Sequence, residues 1–244
     1  MDAEARRVVD DQWCTRFELT INELRRGGVR FVVDNDGAND AMSFRLGALC
    51  VVVVRSDDLA TARDLARGRD VDEVFTADYL QLALGPHARV DGPSWHGYVT
   101  ARTFRGTPDP RVVPLAPGDA GLVSLRRRCS PAEWGESGFP RDPAAVDPRT
   151  TRFYGLAEHG ELVAAGNMTD WRGLPADVGV LTRPDARHRG LAGGVAATMT
   201  ADALPEVGVV RYRALVTNLA SLAVARRLGF EPYGQNYRAR RNSP

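Results

Sequence analysis

The chain has 244 residues, of which 43% are hydrophobic and 26% are charged, and its formal net charge is +1. This composition is typical of a globular protein with one large domain or two smaller ones. A near-neutral charge gives no reason to expect nucleic-acid binding. The longest apolar run, residues 48–54, is much shorter than the ~18 residues that a membrane helix needs. We therefore expect neither a nucleic acid nor a membrane among its partners.

The N-terminus and the cysteines favour a cytoplasmic location. The chain opens Met1-Asp2-Ala3-Glu4, with no basic segment followed by an apolar one, so we expect no secretory signal. The three cysteines are far apart and form no CxxC pair, which is typical of buried thiols in a reducing compartment. The four histidines show no metal-ligand spacing, and we expect no metal.

The first hundred residues have the pattern of an α/β segment. Apolar residues recur at three- and four-residue steps between residues 4 and 26, which predicts one long helix. Apolar runs predict strands at 29–33 and 48–55, the second of them buried on both faces. Helices are predicted at 57–67 and about 71–84.

A stretch rich in Gly, Pro and Arg, residues 103–117, separates this segment from the rest of the chain. We take it as the domain boundary, with an N-terminal α/β accessory domain at 1–108 and a second domain at 109–244. The run Arg25-Arg26-Gly27-Gly28 precedes a strand instead of opening a helix, which is the wrong polarity for phosphate binding. We expect the accessory domain to serve in packing and acceptor selection.

The second domain has a richer pattern of strands and helices, which predicts a mixed α/β fold. His159-Gly160 lies between two apolar runs and predicts a hairpin. Ser130-Pro131-Ala132-Glu133 is typical of a helix start with a capping box. The predicted strands are 112–115, 152–158, 161–168, 178–182, 209–216 and a last one with Tyr237 and Arg238. The predicted helices are 118–129, a short one after 130, one after Gly190, and 219–228.

The loop at residues 183–190 is the most informative segment for function. It follows a strand and opens a helix, whose first N–H groups have no internal partner and favour an anion. Gly190, Gly193 and Gly194 allow a ligand to approach the backbone, and arginines in the loop suit phosphate oxygens. The pattern predicts a phosphate or pyrophosphate site, with a glycine-tolerant turn carrying solvated arginines as the alternative.

Two common phosphate-binding loops are excluded. A P-loop needs Gly-Lys-Ser/Thr, and all 32 basic residues of this chain are arginines. A dinucleotide-binding loop needs G-x-G-x-x-G after the strand, which the glycines at 190, 193 and 194 do not match.

Two motifs resemble those of one known family. Arg187-x-x-Gly190-x-Ala192 resembles the R/Q-x-x-G-x-G/A signature of the GCN5-related N-acetyltransferases (GNAT). The segment 218–230, with Leu228-Gly229-Phe230 at its end, resembles the N-x-x-[AS]…LGF element of that family in its FR47-like form. The resemblance covers about residues 111–240 and implies a GNAT fold for the second domain. For the accessory domain, one interpretation is a degenerate second copy of that fold.

The resemblance implies acetyl-CoA as co-substrate. In the family the loop holds the pyrophosphate, and the strand before it offers backbone groups to the pantetheine arm and polarises the thioester carbonyl. Asn218 would contact the pantetheine, or cap the following helix, or do both. The residues assigned to the cofactor are Val180, Leu181, Thr182, Arg187, His188, Arg189, Gly190, Leu191, Ala192, Gly193, Asn218 and Ser221.

The family's mechanism is direct attack of an amine on the thioester, for which a base or a water relay must remove a proton. The candidate bases are Glu133, Glu158 and Asp170, followed by Asp177. The alternatives are a capping-box role for Glu133 and an exposed loop position for Asp170. Trp134 and Trp171 could be core residues or line the cleft.

The motif does not contain the usual acid that protonates the departing thiolate. Many relatives place a tyrosine four residues before the glycine of L-G-F, where this chain has Ala225. Tyr233 is our candidate, with Tyr237 and Ser221 as alternatives. Solvent is a further alternative, because a thiol with a pKa of roughly 8–9 can leave as the thiolate without a dedicated acid.

Together these residues predict an acetyl-CoA-dependent N-acetyltransferase with a small-molecule amine as acceptor. The alternatives are a non-catalytic protein that binds or senses acyl-CoA, and an acyltransferase with a protein or an aminoacylated acceptor. A homodimer is one assembly that the sequence allows.

Overall fold

The computed structural model describes residues 1–171 and 173–241. Its contacts divide the chain into two compact units. Of the described residues, unit 1 comprises 1, 97–171, 173–214 and 218–231, and unit 2 comprises 2–96, 215–217 and 232–241. No described helix is both long and apolar enough to cross a membrane.

The division at 96/97 differs from the predicted boundary at 108/109. The Gly- and Pro-rich stretch does not act as a free linker, because Arg105 N–H donates to the Leu228 carbonyl within unit 1, at 3.0 Å. Gly229 also lies so close to the Thr103 carbonyl that a side chain there would overlap it. The last strand joins unit 2 because it pairs with a strand of residues 41–46.

Unit 2 is a mixed sheet with helices. Its helices are α1 (Ala3–Phe17), α2 (Ile21–Arg26), α3 (Leu59–Ala66), α4 (Val71–Val74) and α5 (Ala77–Leu84). Its strands are β1 (Gly28–Val33), β2 (Ala41–Leu46), β3 (Leu49–Val54), most of β4 (Ala88–Thr100) and most of β10 (Glu231–Arg241). The strand order is β1-β3-β2-β10-β4. β1 is parallel to β3, whereas β2 is antiparallel to both β3 and β10.

The core of unit 2 confirms one prediction and corrects two. Every residue of β3 is buried, as its apolar run predicted. The single helix predicted at 4–26 is wrong, because Glu18 adopts a left-handed conformation (φ 52°) and ends α1. Thr20 then begins α2 with a capping box to Glu23, which satisfies the free N–H groups of a new helix start. The helix predicted at about 71–84 is likewise two helices, α4 and α5.

Unit 1 holds the second set of elements. Its strands are β5 (Val112–Leu115), β6 (Arg152–Glu158), β7 (Glu161–Asp170), β8 (Pro175–Thr182) and β9 (Val209–Leu215). Its helices are α6 (Ala120–Arg128), α7 (Pro131–Glu136), α8 (Leu191–Val207) and α9 (Leu219–Arg227). The strand order is β9-β8-β7-β6-β5, antiparallel from β5 to β8 and parallel between β8 and β9. The mixed α/β fold is therefore confirmed.

Helices cover both faces of the sheet of unit 1. Ala165 and Leu181 lie in one buried cluster with residues of α6 and α7, among them Trp134. The neighbouring Gly166 points to the other face, where any side chain would overlap Met199 of α8. The β6–β7 hairpin forms as predicted, with positive φ at His159 and Gly160, as a tight two-residue turn requires.

Candidate functional site

The site is built where β8 and β9 part. β8 pairs with β7 from Thr182 back to its first residue. It pairs with β9 at only two positions, Asp177 with Arg211 and Val178 with Tyr212. Beyond Val178, residues 179–182 have no strand on their β9 side in the described chain. Backbone N–H and C=O groups need partners, so this segment can hydrogen-bond an extended ligand as it would a further strand.

The parted strand leads into a loop that reverses sharply onto α8. His188 and Gly190 both have positive φ, 63° and 78°, and Gly190 is the N-cap residue. Among the described residues, no side chain caps this helix start. The N–H groups of α8 that precede Gly193 thus remain for a ligand, and the helix dipole favours an anionic one.

Glycine keeps the approach to this helix start open. A Cβ added at Gly193 would meet no heavy atom within 4 Å. The Gly190 carbonyl accepts from the N–H groups of Gly193 and Gly194, at 3.0 and 3.2 Å, and thereby closes the first turn. The space, the free N–H groups and the parted strand fit a ligand with a diphosphate and an extended arm.

The arginines of the loop are held by carboxylates. Arg187 pairs with Glu133 of α7 through Nη2, and its Nε donates to the Thr182 carbonyl at 3.3 Å. Arg189 donates to both carboxylate oxygens of Glu158, at 2.9 and 2.6 Å. An anion at this loop would therefore reach either guanidinium only by displacing a carboxylate, whereas the first N–H groups of α8 are not engaged by side chains.

Glu133 joins the loop to the start of α7. One of its carboxylate oxygens accepts from the Ser130 backbone N–H at 2.8 Å, in a complete capping box. The hydrogen bond from Ser130, followed by that from Arg187, lowers the pKa of Glu133 to about 2. The capping-box alternative is thus confirmed, and so low a pKa makes Glu133 a weak base.

The other acidic candidates are also engaged. Asp170 is exposed, lies at the opposite end of β8 from the loop, and accepts from the Gly173 N–H in the β7–β8 turn. The hydrogen bond from Arg189 lowers the pKa of Glu158. Asp177 is buried and accepts two hydrogen bonds from Arg211, at 2.9 and 2.7 Å. The roles of these carboxylates in catalysis stay predictions.

The start of α9 supplies the polar groups on the β9 side. Asn218 accepts from the Ser221 N–H through Oδ1 at 3.0 Å and so caps the helix. The Ser221 hydroxyl lies 2.9 Å from that of Tyr212 on β9. Burial raises the pKa of Tyr212 to about 12. The sequence analysis did not identify Tyr212. The one feature that could have pointed to it was its position in β9, the strand from which β8 diverges.

A family model described as "Acetyltransferase (GNAT) family" matches residues 120–230. This segment of the chain is therefore similar to the GNAT family. The matched residues include β8, the loop, α8 and α9, and lie within unit 1 except for residues 215–217. The FR47-like subtype stays a prediction. A search of curated proteins finds no match.

A search of solved structures finds similar chains, of which the first described here has a similar fold. A GNAT-family acetyltransferase structure from Novosphingobium aromaticivorans is 21% identical, with a TM-score of 0.50 over 65% of this chain and 69% of the other. A GCN5-related N-acetyltransferase-like protein from Streptococcus suis is 20% identical, with a TM-score of 0.44 over 67% of each chain. A GCN5-related N-acetyltransferase from Kribbella flavida is 13% identical, with a TM-score of 0.48 over 100% of this chain and 97% of the other.

The site lacks a tyrosine at position 225, where Ala225 is fully buried in α9. Of the proposed replacements, Ser221 belongs to unit 1. The Tyr233 hydroxyl, in unit 2, donates to Asp10 at 2.7 Å. Tyr237 packs against Phe75 in the same unit, and burial raises its pKa. The acid role of Tyr233 stays a prediction. Within residues 1–171 and 173–241, no group of three His, Cys, Asp or Glu side chains is placed to hold a metal.

Proposed function

We propose that this protein transfers an acetyl group from acetyl-CoA to the amine of a small molecule. The observation that carries the proposal is the parting of β8 from β9 directly before a helix start that no described side chain caps. A strand-like segment followed by a diphosphate site matches the order of pantetheine and pyrophosphate in the donor.

Each part of the site has a role in this proposal. The N–H groups at the start of α8 bind the pyrophosphate, with Arg187 and Arg189 as exchangeable partners. The backbone of residues 179–182 binds the pantetheine arm, and one of its N–H groups donates to the thioester carbonyl. Such oxyanion stabilisation is typically worth about 3 kcal/mol of the barrier. Asn218 binds the arm from the side of α9.

The same geometry indicates how the amine loses its proton and how the thiolate leaves. The donor supplies an acyl carbon activated by a thiolate leaving group. Because Glu133 has a pKa of about 2, we assign removal of the amine proton to a water relay that ends in solvent. The leaving thiolate, with a thiol pKa of roughly 8–9, departs without a dedicated acid, in keeping with Ala225 in place of a tyrosine.

A second candidate is a protein that binds acyl-CoA without turnover. Two observations favour it: the buried Ala225 at the tyrosine position, and the carboxylates that hold the loop arginines. The two candidates share the binding site and differ in chemistry. A protein or aminoacylated acceptor is the alternative within the enzyme class, and we propose a cytoplasmic location for each.

One experiment separates the candidates. The purified protein is incubated with acetyl-CoA and a panel of small amines, and thiol release is followed with a chromogenic disulfide. Amine-dependent release supports the enzyme. CoA binding by calorimetry without release supports the sensor, and absence of CoA binding contradicts both. At about 100 times its dissociation constant, CoA should stabilise the fold by about 2.7 kcal/mol.

A further inference from the structure

A buried ion pair lies at the point where β8 and β9 part. Asp177 and Arg211 face each other in the first of the two positions that join these strands. Arg211 donates to Asp177 from Nε at 2.9 Å and from Nη2 at 2.7 Å, in the two-point geometry that guanidinium favours. The two side chains are 10% and 9% exposed.

A tryptophan from a third segment covers the pair. The guanidinium carbon of Arg211 lies 3.5 Å from the ring centroid of Trp171, a close cation–π contact. Trp171 is buried and lies in the β7–β8 turn, where its backbone N–H donates to the Leu174 carbonyl at 2.8 Å. The three side chains therefore tie together β8, β9 and the turn before β8.

A contribution to stability is a weak explanation for this arrangement. Removing two charges from water costs as much as their attraction returns, so apolar replacements of a buried ion pair are often neutral or stabilising. The best-attested use of such groups is to fix a register. The register matters here because only two positions join the strands, and a slip by one residue would turn every side chain of β9 to the other face.

We infer that Asp177, Arg211 and Trp171 fix the register at which β8 leaves β9. They are positioning residues: through β8 they place the segment 179–182, which is paired with β7 but not with β9, and through β9 they place Tyr212 against Ser221. A loosened or shifted register would move the strand segment that lines the donor. This inference rests on the proposed function only where it concerns the donor.

The test compares an apolar replacement of the pair with the wild-type protein. The double variant Asp177→Val with Arg211→Met removes both charges with only a small change in total side-chain volume. The matched control is an exposed pair of unit 1, Arg152→Met with Glu206→Leu, in which the arginine donates to the carboxylate at 2.8 and 2.7 Å. Measurements are the thermal midpoint, hydrogen exchange of the β8 and β9 amides without ligand, and CoA affinity by calorimetry.

For the double variant we expect an unchanged or higher midpoint, β8 and β9 amides that exchange at least about tenfold faster, and CoA binding about tenfold weaker. The control should change none of these. Trp171→Leu should give smaller changes of the same kind in amide exchange and CoA affinity. Trp171→Phe keeps an aromatic face for Arg211, so both quantities should stay close to those of the wild type.

Three outcomes would overturn the inference. The first is a folded double variant with unchanged exchange of these amides. The second is faster exchange with unchanged CoA affinity. The third is a double variant that does not fold, because the pair would then serve stability. If the wild-type protein binds no CoA, the proposed function fails. The exchange measurement would then still show whether the pair fixes the register of β8 and β9.

Discussion

At the scale of single residues, Glu133 shows how one carboxylate serves two parts of the molecule. It closes the capping box of α7 and holds Arg187 of the loop. The sequence predicted the capping box, since its partner Ser130 is three residues away. It could not predict the ion pair, since Arg187 is 54 residues further along the chain and meets Glu133 only in the folded unit.

Replacing Glu133 with Gln tests its role. Glutamine keeps the capping box but not the ion pair, so Arg187 becomes available to phosphate. We expect CoA affinity to rise by about threefold and kcat to fall by less than about tenfold. Glu136→Gln, on the same helix and exposed, is the control. A loss of kcat by about 100-fold or more would instead make Glu133 the base.

The low pKa of Glu133 predicts a pH dependence of stability. A carboxyl whose pKa is lower in the folded protein stabilises the fold when it is ionised. Its contribution is complete above pH 4.5, the ordinary value, and is lost as the pH falls towards 2. The difference in unfolding free energy between wild type and Glu133→Gln, from urea titrations, should therefore shrink over that range. A difference independent of pH would contradict the lowered pKa.

Gly193 tests the open approach to α8. Leucine at this position places a side chain in the space before the free N–H groups, where a Cβ meets no atom within 4 Å. We expect the KM for acetyl-CoA to rise by about tenfold or more with an unchanged thermal midpoint. Gly135→Leu is the matched control, since Gly135 also lies in a helix with open space around its Cβ. Equal effects of both variants would place the diphosphate elsewhere.

At the scale of elements, the sequence predicted the helices and strands that are determined by a pattern of neighbouring residues. The loop and α8 follow from glycine spacing and apolar periodicity, and β3 follows from its apolar run. β2 and β4 were missed. β4 contains Gly92-Pro93 and polar residues, and its strand form comes from pairing with distant strands rather than from propensity. The parting of β8 and β9 depends on long-range pairing and has no local signal.

The break between α1 and α2 gives a prediction about an element boundary. Thr20 caps α2, and its hydroxyl accepts from the Glu23 N–H at 3.2 Å. Thr20→Ala should lower the unfolding free energy by about 1 kcal/mol, measured by urea denaturation. Thr15→Ala is the control, since Thr15 is exposed inside α1 and alanine favours helix. If the two variants were equally stable, the cap would not define α2.

At the scale of the whole molecule, chain order and compact units do not coincide. The sequence placed residues 109–244 in one domain, whereas β10 pairs with β2 from Gly234–Leu46 to Ala239–Ala41. Ala239 is fully buried in the core of unit 2. A composition-based boundary cannot show this, because the returning strand is far from its partners in sequence. The resemblance motifs end before this strand and so carried no information about it.

Shortening the chain tests this division. A chain that ends at residue 231 lacks all but the first residue of β10, and β2 loses a partner on one side. We expect hydrogen exchange of β2 and β3 amides to accelerate by at least about 100-fold, and that of β6 and β7 amides to stay within about threefold. Unchanged protection of β2 would show that β10 contributes little to unit 2.

The pairing of Arg187 and Arg189 with carboxylates has a consequence for selectivity. Each positive charge around the loop is matched by a nearby negative one, so no strong electrostatic field attracts polyanions from a distance. A ligand must instead satisfy directional N–H donors at the helix start. We therefore expect a ligand at this loop to be selected by the fit of its anionic group to these donors rather than by long-range attraction.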